Sequence, residues 1–392
     1  MTLELIGPLI AWPLMLMAAW LAGEWVFRHW RLPRVCAYGV IGLGLSGIGL
    51  SQSLAPQAAL GQLANVALAL TLFELGYRVN PAWFRHNPWV LAAGLLQAVG
   101  VFAAVFWVAG LFTVPLDLRL VLAALCVATS PAGVMRVAHE LHSSGQVTER
   151  LMHLCALNCL VAALLLKMVI GYWHLETSGD IGKAAFDSIY VIGLSLVAGA
   201  VFGFVVPLLN RLATSSQSTT VTFAIAVLLL AGIAQSLHLS SLLAALAFGA
   251  VARKRRIMLS HAQRNFGALG DLLSVFLFVF IASLLSWVGL VNALVLGAAV
   301  LGARSAAHVL LNLAIARVSG TTLRKGALTG LALMPLSAFA LLLLEESRVY
   351  GFDLARDSLP LVGGLLVLLD VIGPLVTQRA LMLAREAHPE EG

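Results

Sequence analysis

Residues 117–140 read DLRLVLAALCVATSPAGVMRVAHE, and residues 323–347 read LRKGALTGLALMPLSAFALLLLEES. Each is an apolar run long enough to cross a hydrocarbon layer of about 30 Å at 1.5 Å per residue. Each also carries a proline near its middle: Pro131 in Ala128-Thr129-Ser130-Pro131-Ala132-Gly133, and Pro335 in Leu333-Met334-Pro335-Leu336-Ser337. Both prolines fall about twelve to fourteen residues into their runs, roughly 20 Å of rise and so near the midplane. One such proline is a tolerated kink, since proline is frequent in membrane helices. Two at matching positions in the two halves of a chain predict a pair of interrupted helices at a binding site.

The rest of the chain is of the same kind. Of its 392 residues, 60% are hydrophobic and 11% charged, with a mean hydropathy of +0.96, against about 25% charged in an ordinary globular domain. Apolar windows separated by charged or turn-rich breaks predict thirteen helices, near 5–28, 34–52, 58–79, 88–114, 117–140, 149–173, 185–209, 219–237, 239–253, 265–287, 289–316, 323–347 and 357–383. These windows predict an all-α polytopic membrane protein with a single transmembrane domain, and no soluble regulatory domain is expected. With the N-terminus outside, eighteen of the 24 Lys and Arg residues fall on the inner side. Four fall outside (Arg119, Lys183, Arg348 and Arg356), and Lys167 and Arg304 lie within helices. That asymmetry predicts a multi-pass protein of the cell membrane with a cytoplasmic C-terminus. It also accounts for the net charge of +6 without nucleic acid. No basic n-region precedes the first helix, which is expected to be retained.

An odd number of helices allows six, a connector near 185–209 and six more, an inverted 6+6 repeat with broken crossing helices 5 and 12. Charge inside a membrane usually marks function, and few residues qualify. Arg304 lies deep in helix 11, with His308 one turn later on the same face. Asp370 lies deep in helix 13, whereas Glu74 is nearer the cytosolic end of helix 3 and Lys167 near the outer end of helix 6. Arg304 either neutralises Glu74 or Asp370, or faces the C-terminal carbonyls of a broken helix. Helix 6 places Asn158 and Cys159 near the midplane. Cys155 and Cys159 share a face, but no matching His or Cys pair accompanies them, so no metal site is expected. The cysteines all lie in apolar runs and predict no disulfide. Gly42-Leu43-Gly44-Leu45-Ser46-Gly47 has dinucleotide-loop spacing but no preceding strand, and reads as a helix-packing face. His139, Glu140, His142 and His153 read as a solvated cytosolic segment.

These residues resemble the monovalent cation:proton antiporters of the sodium/hydrogen exchanger superfamily. Arg31-Leu32-Pro33-Arg34-Val35 leading to Tyr38-Gly39 and Gly42 is similar to the entry to the family's second helix, and Leu72-Phe73-Glu74-Leu75-Gly76 to its third-helix signature. Ala128-Thr129-Ser130-Pro131-Ala132 resembles its first broken helix, Leu239-Ser240-Ser241-Leu242-Leu243-Ala244-Ala245 with Gly249 its ninth, and Gly373-Pro374-Leu375 the end of its last. The resemblance implies core helices (about 88–173 and 289–383) moving against scaffold and dimer helices (about 1–80 and 219–287) in an elevator-like cycle. It implies a homodimer in the bilayer, with a monovalent cation and H+ as partners. It assigns Arg304 to the basic counter-charge on helix 11 and Thr129 with Ser130 to the crossing, beside Pro131, Gly133, Pro335 and Ser337. Many relatives continue into a cytosolic nucleotide-binding domain and this chain ends at Gly392, so neither NAD regulation in cis nor any cofactor is expected.

The departure is on helix 6, where ion-exchanging members carry Asp-Asp or Asn-Asp and this chain has Asn158-Cys159. Coupling needs one group that binds a proton in one step and a cation in another. A thiol in apolar surroundings keeps its proton and holds Na+ or K+ poorly. The expected function is therefore exchange of Na+ or K+ for H+ by alternating access, with Glu74 or Asp370 titrating and Asn158, Thr129 and Ser130 as ligands. The alternative keeps the fold without ordinary proton coupling, as a facilitator or a non-transporting sensor or scaffold. No Gly-x-Ser-x-Gly or His-Glu-x-x-His is present, and no enzyme is expected.

Overall fold

The computed structural model describes residues 2–47, 57–175, 181–209, 216–254, 267–283, 287–336, 338–348 and 372–388. Among these there is no strand. The helices are α1 (Thr2–Trp30), α2 (Arg34–Gly47), α3 (Gln57–Arg78), the short α4 (Pro81–His86) and α5 (Pro88–Leu111). They continue as α6 (Leu116–Val127), α7 (Pro131–Glu140), α8 (Gln146–Leu175), α9 (Ile181–Leu209), α10 (Ser216–Ser236) and α11 (Ser241–Lys254). The remainder are α12 (Gly267–Ser283), α13 (Trp287–Ala316), α14 (Leu323–Ala332), α15 (Ala338–Arg348) and α16 (372–383). Seven segments of the described residues are long and apolar enough to cross a membrane, among them Leu116–Glu140, Gln146–Gly171 and Leu294–Ala316.

The radial pattern is that of a chain dissolved in lipid. Leu111 is 77% exposed and Trp107 74%, whereas Thr129, Asn158 and Arg304 are fully buried. In water this distribution would be costly. In hydrocarbon the polar groups must face inward, where other protein groups satisfy them.

The helices pack in two sets. α3 lies along α11, α11 along α9, and α2 along α12; separately, α13 packs against α5 and α14, and α8 against α6. Close backbone approach makes the first set tight. A side chain on Gly249 of α11 would collide with the Phe73 carbonyl of α3. A Cβ on Gly42 would lie 2.6 Å from the Val279 carbonyl of α12, consistent with a helix-packing face. The run 117–140 is broken into α6 and α7, and 323–347 into α14 and α15. Proline supplies no backbone N–H and disfavours helical backbone in the residue before it. Ser130 accordingly sits at φ −66°, ψ 111°, and caps α7 by accepting from Gly133 N at 3.2 Å.

Candidate functional site

The two breaks meet. Ser130 N donates to the Pro335 carbonyl at 2.7 Å and Thr129 Oγ1 to the Leu333 carbonyl at 3.3 Å. Gly133 lies against Pro335, where a Cβ would sit 3.2 Å from the proline ring. α6 and α14 thus end at one point, each presenting carbonyls that no longer have helical partners. Arg304 of α13 gathers them. Its Nε donates to the Cys126 carbonyl at 2.7 Å, Nη1 to Met334 at 2.5 Å, and Nη2 to Ala128 at 2.7 Å and Leu333 at 3.2 Å. Two carbonyls come from each broken run, so one buried cation answers the negative ends of both half-helices. Of the arrangements the sequence allowed for Arg304, the carbonyl-facing one holds, and it extends to both breaks.

α8 completes the site from a third side. Asn158 Nδ2 donates to Thr129 Oγ1 at 3.0 Å, while its Oδ1 has no hydrogen-bond partner. The thiols of Cys159 and Cys155 approach the Thr129 carbonyl at 3.3 and 3.6 Å. All four cysteines are buried, and none is in a disulfide. Behind the crossing, Thr377 of α16 donates to the Ala332 carbonyl at 2.9 Å. The structure therefore brings together Thr129, Ser130, Pro131, Gly133, Asn158, Cys159, Arg304 and Pro335. Ser337 and Asp370 lie outside the described residues.

Glu74 is not part of this cluster. It sits near the end of the bundle that carries Arg78, Arg136 and Arg150, pairing with Arg78 at 3.2 Å and His139 Nε2 at 2.9 Å. His139 is eight residues past Pro131, about 12 Å of helical rise from the crossing. Around this basic end the α7 side chains tie to the first helix set. Arg136 pairs with Asp271 of α12, and Glu140 forms an ion pair with Arg34 Nη1 at 3.5 Å and accepts from Arg34 N and Arg136 Nε, each at 3.3 Å. Between them a polar cleft lined by Thr71, Glu74, His139 and Asp271 reaches Ala132, two residues from Ser130. The reading of His139, Glu140 and His153 as a solvated segment is corrected here. The Glu140 side chain is 5% exposed and that of His153 1%, the latter accepting from Asn80 N at 3.1 Å. These residues continue helices packed on neighbours, and polarity alone cannot distinguish that from a loop.

The sequence reading also missed the anchor of α8. Glu386, beyond α16, accepts from Val147 N at 2.9 Å and from Thr148 N and Oγ1 at 2.8 and 3.0 Å, and pairs with Lys325 at 3.3 Å. Burial opposes its charge, but those donors outweigh burial and hold the carboxyl below its usual range. The Glu386 carboxylate thereby ties the first turn of α8, which carries Asn158, to that of α14, which Leu333 caps. A lone glutamate in a tail carries no pattern that would have revealed this.

Comparison with known proteins agrees with the geometry. The pattern of the family described as "Sodium/hydrogen exchanger, transmembrane" matches residues 14–381. The sodium proton antiporter MjNhaP1 from Methanocaldococcus jannaschii, solved at pH 8, superposes with a TM-score of 0.73 at 14% identity, covering 97% of each chain. At that identity the likeness is one of fold. No curated protein matches the chain.

Proposed function

The chain belongs to the sodium/hydrogen exchanger family of transmembrane proteins, and from that premise we propose that it exchanges a monovalent cation, Na+ or K+, for H+ by alternating access. The observation that carries this is the crossing itself. Two broken helices meet at a point where Arg304 satisfies the carbonyls, and among the described residues at the crossing Asn158 Oδ1 is left without a hydrogen-bond partner. A dehydrated cation needs oxygen ligands of this kind, and Thr129 stands beside that amide.

In this reading α5–α8 with α13–α16 form the moving core, and α1–α3 with α10–α12 the scaffold of a homodimer. The basic end is cytoplasmic, and its cleft past Glu74 and His139 is the inner approach to the crossing. Glu74, held by Arg78 and His139, is poorly placed to titrate at the crossing.

Collapse of an imposed pH gradient in inside-out vesicles, challenged in turn with Na+, K+ and Li+, tests the proposal. Collapse with at least one ion is expected; a flat response to all three, with the protein confirmed present, overturns it. Cys159→Asp separates the alternative of a fold without proton coupling. A silent wild type beside an active C159D favours that alternative, and an active wild type rejects it.

A further inference from the structure

The antiport reading leaves a chemical gap in the described core: besides the Asn158 amide, the α8 groups that reach Thr129 are thiols, and no carboxylate is among them. One turn from Arg304 toward the basic end, α13 carries His308, which is 1% exposed with no hydrogen-bond partner for either ring nitrogen. One turn further, Asn312 donates Nδ2 to Gln97 Oε1 of α5 at 2.5 Å and to the His308 carbonyl at 2.8 Å. Gln97 Nε2 is buried and also without a partner. Arg304, His308 and Asn312 thus form a polar stripe at i, i+4 and i+8. The stripe follows α14 away from the break. A Cβ on Gly330 would lie 2.6 Å from the His308 carbonyl, and one on Gly326 2.9 Å from that of Asn312.

Buried polar groups are nearly always hydrogen-bonded, and two unpartnered nitrogens on one ring, with a third on Gln97 linked to His308 through Asn312, are not what a packing histidine requires. We propose that His308, with Gln97 and Asn312, is a proton-binding site of this protein, and that a proton there and a cation at the Thr129–Asn158 crossing exclude one another. The inference rests on the antiport reading for its function but not for its measurement. Protonation puts a second positive charge on α13 about 6 Å of rise from Arg304. Arg304 in turn holds the carbonyls of both breaks. A cation at the crossing would be a third charge in the same dry interior, so the core carries one or the other.

Other groups near the ring are accounted for. Arg304 is the charge that acts on it. α5 contributes the neutral amide of Gln97, and α14 the backbone at Gly330. α2, a third neighbour of α13, carries Arg34, Cys36 and Tyr38. Of these, Arg34 pairs with Glu24 and Glu140, and the buried Tyr38 hydroxyl, without a hydrogen-bond partner, lies in the field of Arg136 and Glu140.

The test uses the full chain in lipid nanodiscs with ring-labelled histidine, of which there are ten; the resonance lost in His308→Gln is His308. Its ring should titrate, passing from neutral to charged as the pH is lowered. Saturating Na+, K+ or Li+ should lower its midpoint, and acid should weaken binding of the same ion by the same factor, roughly 5- to 150-fold, since linkage is reciprocal. In vesicles, H308Q should lose proton coupling while keeping cation-for-cation exchange. A ring that does not titrate, a midpoint indifferent to all three ions, or H308Q coupled as the wild type overturns the proposal. Should H308Q not fold, Gln97→Leu replaces it: an unchanged wild-type pH profile in Q97L overturns the proposal. Asp370→Asn uncoupled beside a coupled H308Q gives the role to the carboxylate instead. Failure of the antiport reading reads differently, as a wild type that collapses no gradient while the His308 resonance still answers to cations.

Discussion

Replacing Arg304 should weaken the fold in an order fixed by donor count. The guanidinium satisfies four carbonyls, those of Cys126, Ala128, Leu333 and Met334. Leu333 also accepts from Thr129 Oγ1 at 3.3 Å, so the carbonyls of Cys126, Ala128 and Met334 are the three that depend on the guanidinium, and a buried acceptor left unpaired costs about 1–3 kcal/mol. Lysine keeps the charge, but its three N–H groups diverge from one point and cannot span carbonyls placed for a planar fork, so Arg304→Lys should strand one of the three, a loss of about 1–3 kcal/mol. Glutamine offers two N–H groups and no charge, so Arg304→Gln strands at least one and leaves the negative ends of α6 and α14 unanswered, about 2–5 kcal/mol. Part of this is returned because a desolvated guanidinium no longer has to be buried, which brings the net effect toward the lower ends. Thermal challenge in detergent followed by size-exclusion chromatography reads the order directly: wild type, then R304K, then R304Q. A glutamine variant as stable as the wild type, or more stable than the lysine variant, would refute the carbonyl-clasp account and return Arg304 to the role of a simple counter-ion.

Three further outcomes follow from the same geometry. Glu140→Gln removes from Arg34 and Arg136 their shared carboxylate at a site 5% exposed, leaving them Glu24 and Asp271, and should destabilise by about 1–3 kcal/mol, whereas Asp271→Asn, at a side chain 60% exposed, should change stability by less than about 1 kcal/mol in the same thermal assay. Glu386→Gln removes the carboxylate at the start of α8 and should cost about 1 kcal/mol at neutral pH. Because its folded-state pKa is depressed, that contribution is present above the ordinary carboxylate range and is lost as pH falls through the folded value. The gap between E386Q and wild type should therefore close in acid, and a gap that widens there contradicts the assignment. Gly249→Val puts a branched side chain into the Phe73 carbonyl and should cost about 1–3 kcal/mol or prevent assembly of α3 on α11; a variant that elutes and melts like the wild type would mean these helices can separate freely.

What was legible in the sequence was whatever had a period or a punctuation mark. Apolar runs and the two mid-helix prolines gave the helical membrane class and the places where α6–α7 and α14–α15 break, because proline acts locally on its own backbone. Thr129, Asn158 and Arg304 could be singled out because polar side chains in an apolar run are costly unless used. Their mutual geometry could not. Arg304 lies far along the chain from Cys126 and finds carbonyls, and every residue has a carbonyl, so no residue type announces that partner. Composition erred at the basic end for a related reason. His139 and Glu140 look solvated when read alone, and only the neighbouring helices, which supply Glu74, Arg34 and Asp271, turn them into a packed array. Asn158-Cys159 is the informative disagreement. Read against the family pattern it is a lost acid. In the folded core the thiols approach the Thr129 carbonyl, Asn158 keeps an oxygen free, and an unpartnered imidazole lies one turn from Arg304. Proton binding and cation binding can be linked by charge through a shared buried arginine without sharing a ligand, so a missing carboxylate at one position does not decide whether the whole core is coupled.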